Sequence, residues 1–117
     1  MSQIGIPNLD KNLEASLVAD MQKVEELMRS HIKGDYPLVV ETSRHLVEAG
    51  GKRLRPLLTL IAAQFGDSTN YDIIKAAVCC ELTHLATLYH DDVMDDAVLR
   101  RGVISANKKW DNAVAIL

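Results

Sequence analysis

Apolar residues recur at three- and four-residue steps through the first part of the chain: Leu9, Leu13, Leu17, Met21, Val24, Met28 and Ile32. That spacing puts them on one face of a long amphipathic helix. Asn8 is placed to cap it, with Pro7 just before. Gly34 and Pro37 bracket a break. Pro37 suits the first turn of a second helix, running from Leu38 to Ala49 and stopped by Gly50-Gly51. A third helix is predicted from Leu54 or Pro56 to Phe65, with Gly66 as its stop. Asp67-Ser68-Thr69-Asn70 reads as a polar turn.

The longest apolar segment follows, from Asp72 to about Met94. It carries Ile73, Ile74, Ala76, Ala77, Val78, Leu82, Leu85 and Leu88. It is apolar over most of its circumference, which predicts a helix central to a bundle. Arg100-Arg101-Gly102 makes a basic turn, and Ser105 is placed to cap a further helix. There is no alternating strand pattern and no internal repeat. Ala113 to Leu117 is an apolar run with no polar tail, so the chain is expected to be an N-terminal piece of a longer one.

Composition narrows the possibilities. The 117 residues are 48% hydrophobic, enough for one small core and not for two domains. Net charge is −3 and aromatic content 4%, which offers neither a basic face nor stacking platforms for nucleic acid. No run of 18 apolar residues exists, so no transmembrane helix is expected. Met1 to Lys11 lacks the pattern of a signal peptide. A cytoplasmic protein is the expectation. Cys79 and Cys80 are adjacent and lack zinc-ligand spacing, so they are expected to be small buried core thiols.

The candidate chemistry lies at the end of the fourth helix, in His90-Asp91-Asp92-Val93-Met94-Asp95-Asp96. Asp91 and Asp95 are one turn apart on one helical face. Carboxylates clustered at a helix C-terminus repel each other and oppose the helix dipole. A divalent cation relieves both, and carboxylate oxygen is the ligand that Mg²⁺ prefers. His84 lies two turns before Asp91, so His84, Thr87, Leu88, Asp91 and Asp95 share a face. The bland alternatives are a solvated helix end and a satisfied core histidine. Glu81 lies off that face and is expected to be at most a structural partner.

Two basic segments flank this helix. Gly50-Gly51-Lys52-Arg53-Leu54-Arg55-Pro56 sets three cations behind a glycine pair. Glycine allows positive φ and close backbone approach, and Lys and Arg supply donors for phosphate oxygens. Arg53 has the weakest claim of the three, because neighbours in the segment point in different directions. Arg100-Arg101 forms a second pair, whose plainer explanation is charge balance for Asp95 and Asp96. Taken together, carboxylates for a metal and two basic clusters suit two polyphosphate ligands, one met through metal and one by Lys and Arg.

With these three segments in order, the chain resembles the trans-isoprenyl diphosphate synthases, the polyprenyl synthetase family. The first basic segment matches that family's G-G-K-R-x-R-P, Asp91 to Asp95 its first D-D-x-x-D, and Arg100-Arg101-Gly102 the R-R-G that follows. The likeness covers Leu38 to Leu117 and is closest to long-chain polyprenyl diphosphate synthases. It implies an all-α fold, an antiparallel helix bundle of the isoprenoid synthase type, here only its N-terminal helices. It implies Mg²⁺ (Mn²⁺ as a substitute) on Asp91 and Asp95, with Asp92 in support. Arg100 is then expected to bind the diphosphate of an allylic substrate. Lys52, Arg55, His84 and Arg101 are expected to bind isopentenyl diphosphate. A homodimer is the expected assembly.

In this family bulky residues just before the first aspartate motif limit product length. Here those positions are Ala86 and Thr87, which implies a product beyond C15. The family's second aspartate-rich motif and a later diphosphate-binding lysine do not occur within these residues, so turnover by this chain alone is not expected. A terpene cyclase has no need of the isopentenyl diphosphate set, and a metal-dependent phosphohydrolase wants further histidine ligands. A non-catalytic helical subunit acting by pairing is the reading from a different class.

Overall fold

The computed structural model describes residues 4–117. Helix α1 spans Lys11–His31, α2 Pro37–Glu48, α3 Leu54–Ala62 with a 3₁₀ turn at Ala63–Phe65, and α4 Asp72–Met94. A two-stranded hairpin, β1 Leu99–Arg100 and β2 Val103–Ile104, leads into short helices α5 Ala106–Lys109 and α6 Asn112–Ile116.

Most boundaries fall where glycine and proline predict. Ser105, expected to cap a further helix, stands before α5 with its hydroxyl donating to the Ala97 carbonyl and capping nothing. The start of α1 also differs: Asp10, not Asn8, caps it, its carboxylate accepting from the Asn12 and Leu13 amides at 3.0 Å. Asn8 instead sits at positive φ in the preceding turn. Asp prevails because its side chain reaches the second and third amides of the helix. Pro56 lies in the first turn of α3, where a missing N–H leaves nothing unpaired.

The core has two parts. Leu17, Val24 and Met28 of α1 pack with Leu60 of α3 and Ile74, Ala77 and Val78 of α4. Ile32, Leu46, Val47 and Leu85 form the second. Tyr89 joins α4 to α2: its hydroxyl donates to the Thr42 carbonyl and accepts from the Leu46 amide at 3.1 Å. That buried hydroxyl has its pKa raised, chiefly by desolvation.

Helix α4 is buried on one side only, through Ile74, Ala77, Val78, Glu81, Leu85 and Asp92. Cys79 and Cys80 are exposed, which corrects the expectation of core thiols. They fall on the flank of α4 away from α1 and α3, beside exposed Ala76, Thr83, Ala86 and Thr87. A helix apolar all round thus presents small residues outward.

The hairpin is a second correction, because no strand was expected. Arg101 and Gly102 both have positive φ, at 54° and 78°. That is the requirement of a type I′ turn, whose twist suits a tight hairpin. Two-residue strands are too short to show alternation. His45 of α2 holds the hairpin: its Nε2 meets the Ile104 carbonyl at 2.5 Å, and its ring lies edge-on to Trp110 at 5.1 Å.

Helix α4 ends in a Schellman motif. Asp96 takes the left-handed position at φ 49°, its amide bonds the Val93 carbonyl, and the Ala97 amide bonds the Asp92 carbonyl at 2.9 Å. Glycine usually occupies this position, and a β-branched residue fits it worst. Asp96→Val is expected to lower stability by about 1–2 kcal/mol. Asp96→Gly is expected to retain it, as read by urea denaturation.

Candidate functional site

The acidic cluster divides by helix geometry. Asp91 is half-buried and Asp95 exposed, on the open side of α4. Asp92, about 100° round the helix, points inward and is 0% exposed. Its Oδ1 accepts from Arg100 Nε at 2.8 Å and from Arg100 Nη2. Its other oxygen is buried without a partner. This bonding to Asp92, with the nearby Asp91 and Asp95 charges, raises the Arg100 pKa against the opposing effect of burial. Arg100 keeps 28% of its side chain exposed. Asp96 is taken up by Lys108 at 2.6 Å. Arg100 therefore balances Asp92, and not the two outermost carboxylates.

The first basic segment also divides. Arg53 is at φ 49° and turns inward to 7% exposure, while Lys52 and Arg55 stay exposed. Arg53 Nη1 meets Glu81 at 3.2 Å, its Nε pairs with Glu25, and its Nη2 donates to the Val47 carbonyl at 2.9 Å. Glu81, 1% exposed, also has Arg101 Nη2 at 3.7 Å. Arg101 Nη1 donates to the Leu46 carbonyl at 3.1 Å and to the Gly50 carbonyl. The Arg101 pKa is lowered, first by desolvation and then by the charge of Arg53.

His84 sits where these segments meet. Burial lowers its pKa most, and the charges of Arg55, Arg101 and Arg100 lower it further, against Glu81. The guanidinium charges of Arg55, Arg100 and Arg101 set the imidazole in a positive field, which suits an anion. Lys52 is exposed and borders a concavity with Ile4, Val18, Met21, Gln22 and Leu57. Ala86 and Thr87 are both exposed; Ala86 borders a concavity with Leu82, Leu85 and Tyr89, and the Thr87 hydroxyl donates to the His84 carbonyl at 2.6 Å.

Sequence reasoning missed Glu25, which looks like one more surface acid of α1, and left Glu81 without a role. The signal for Glu81 was a lone acid in an apolar helix, since such a group needs a buried cation.

A family model described as polyprenyl synthetase matches residues 36–117, which include all three motifs. The chain belongs to the polyprenyl synthetase family. It is 46% identical over 100 residues to heptaprenyl diphosphate synthase component 2 of Bacillus subtilis, covering 83% of this chain and 28% of that protein. It is 43% identical over 114 residues to nonaprenyl diphosphate synthase of Mycobacterium tuberculosis, covering 97% and 34%. The crystal structure of heptaprenyl diphosphate synthase from Staphylococcus aureus superposes with a TM-score of 0.82 at 39% identity, over 86% of this chain and 32% of that one. The chain spans about a third of the length of the relatives it matches. The all-α expectation holds, with the small hairpin added. No helix among the described residues is long and apolar enough to cross a membrane.

A lowered folded-state His84 pKa means that the unfolded chain binds the proton more readily. This stability is therefore whole above the ordinary histidine value. It is lost as pH falls through that value towards the folded one. NMR of the imidazole is expected to show His84 titrating below the ordinary histidine value, and Arg55→Met to move it back upward.

Proposed function

We propose that this chain is part of an Mg²⁺-dependent prenyltransferase that condenses isopentenyl diphosphate with an allylic diphosphate, forming a trans-polyprenyl diphosphate. One observation carries the reading: the outward carboxylates Asp91 and Asp95 lie on the face of α4 that also carries His84, where the charges of Arg55, Arg100 and Arg101 converge. Family membership supports it.

Asp91 and Asp95 fit Mg²⁺, which takes one or two carboxylates and completes its shell with substrate phosphate and water. Among the described residues no group of three His, Cys, Asp or Glu side chains is arranged to hold a metal. Those two carboxylates are therefore what this chain contributes. Asp92, held inside by Arg100, supports the pair from beneath. When bound, the ion supplies positive charge where the allylic diphosphate departs.

The chain's own residues do the rest. Arg100 binds the allylic diphosphate and stabilises charge as its C–O bond breaks. Arg55, His84 and Arg101, with Lys52 at the edge of the site, hold isopentenyl diphosphate. Its double bond attacks the allylic carbon, a proton leaves, and the product gains five carbons. Apolar surface along α4 keeps water from the cation. The exposed small-residue face of α4 suits burial by further protein of the same enzyme, a homodimer in our reading.

Thr87 sets no bulky floor one turn beneath Asp91, and neighbouring Ala86 is small, so the proposed product is longer than C15. Two tests follow from these roles. With isopentenyl diphosphate, Mg²⁺ and farnesyl diphosphate, a form extended past Leu117 is expected to elongate the primer, and this chain alone is not. Asp91→Asn or Asp95→Asn in that form is expected to lower the rate by about 100-fold or more. An extended form without any product contradicts the enzyme reading. Thr87→Phe is expected to shorten the products seen by chromatography, and unchanged length contradicts the floor assignment.

A further inference from the structure

Arg53 and Glu81 have no contact with substrate in the reading above, yet Arg53 makes five side-chain hydrogen bonds, one of them to the buried Glu81. We infer that they are positioning residues, which set Arg101 and the Gly50-Gly51 turn as one unit for diphosphate. The inference rests on the assignment of Arg55, His84 and Arg101 to a diphosphate.

Two acceptors are shared by both arginines. Glu81 Oε1 lies 3.2 Å from Arg53 Nη1 and 3.7 Å from Arg101 Nη2. The Gly50 carbonyl accepts from Arg53 Nη1 at 3.4 Å and from Arg101 Nη1. Each arginine therefore has its fork set by groups that also set the other. Arg53 anchors the unit to α1 through Glu25, and to the end of α2 through the Val47 carbonyl at 2.9 Å. Arg101 reaches the same helix end through the Leu46 carbonyl at 3.1 Å.

Gly51 closes the unit from outside. A Cβ there would lie 2.8 Å from Arg101 Cζ, closer than real contacts allow, and its φ of 142° is itself glycine-like. The glycine thus lets the backbone lie against the guanidinium. The left-handed conformation of Arg53 then sends its own side chain inward and leaves Lys52 and Arg55 exposed.

Charge counts agree with this division. Arg53 and Arg101 face Glu25 and Glu81, and Arg29 also reaches Glu25 at 3.9 Å, so the buried Arg53 and Glu81 lie in a cluster whose opposite charges meet each other. The attraction for an anion then lies with Arg55 and Lys52. Arg101 contributes orientation, with part of its charge already met by Glu81. A lysine at 53 has one point of charge and cannot reach these spread acceptors at once.

Calorimetry with inorganic diphosphate, without Mg²⁺, tests this on the 117-residue chain. Arg53→Lys is expected to weaken binding about tenfold. In an Arg101→Ala background the same change is expected to have no further effect on affinity, although it still lowers the melting temperature. Glu81→Gln and Gly51→Ala are expected to follow the same pattern, and they decide the matter if Arg53→Lys does not fold. Equal losses with and without Arg101, or no loss at all, overturn the inference. Arg55→Ala separates the two levels. If it weakens binding while the Arg53, Glu81 and Gly51 variants do not, only the positioning role fails. If it does not, or if the unaltered chain binds no diphosphate, the site assignment fails and this inference with it.

Discussion

A carboxylate inside an otherwise apolar helix constrains the rest of this structure. Glu81 is 1% exposed, and an ion there is costly unless cations reach it. Arg53 and Arg101 do so from segments 28 and 20 positions away in the chain. Meeting that demand fixes the direction of the glycine turn, the entry to α3 and the approach of the hairpin. Removing one partner from such a set typically costs about 3–5 kcal/mol, because a charge is left buried alone. The geometry of the candidate site is thus tied to the stability of the core beneath it.

The same logic separates residues that look alike in a motif. Lys52, Arg53 and Arg55 are three cations in four positions, but only Arg53 is drawn inside. The left-handed backbone at Arg53 causes this, and the backbone adopts it because Glu25 and Glu81 wait below. Asp91, Asp92 and Asp95 divide similarly. A step of about 100° takes Asp92 out of the face shared by Asp91 and Asp95. The two outward acids share their repulsion with solvent or a metal, and the inward acid must hold a guanidinium.

Long-period features were legible in the chain. Three- and four-residue spacing located α1 and α4, and glycine and proline located the breaks between helices. His84 and Asp91 were placed on one face from their spacing, and the structure brings Arg55 near His84 as well. Features that depend on one contact were not legible. The hairpin follows from two positive φ values at Arg101 and Gly102, with strands too short for a pattern. Exposure of Cys79 and Cys80 depends on which flank of α4 the other helices cover, and composition does not encode that. The inward turn of Arg53 required knowing that a distant acid lay opposite it.

The end of α4 shows how stability and chemistry share one segment. Four carboxylates at a helix C-terminus oppose the dipole, yet the Schellman stop, Lys108 and Arg100 absorb two of them. Asp96 closes the helix, and Asp92 is neutralised from the hairpin. Asp91 and Asp95 alone keep outward-facing charge. That pair is small enough for the fold to tolerate and large enough to attract a hard cation, and the nearby Arg100 is hydrogen-bonded to Asp92 and not to either of them. The hairpin that neutralises Asp92 also carries Arg101 to Glu81. One two-residue turn therefore sets both the residual negative charge of the acidic face and the arrangement of the basic one.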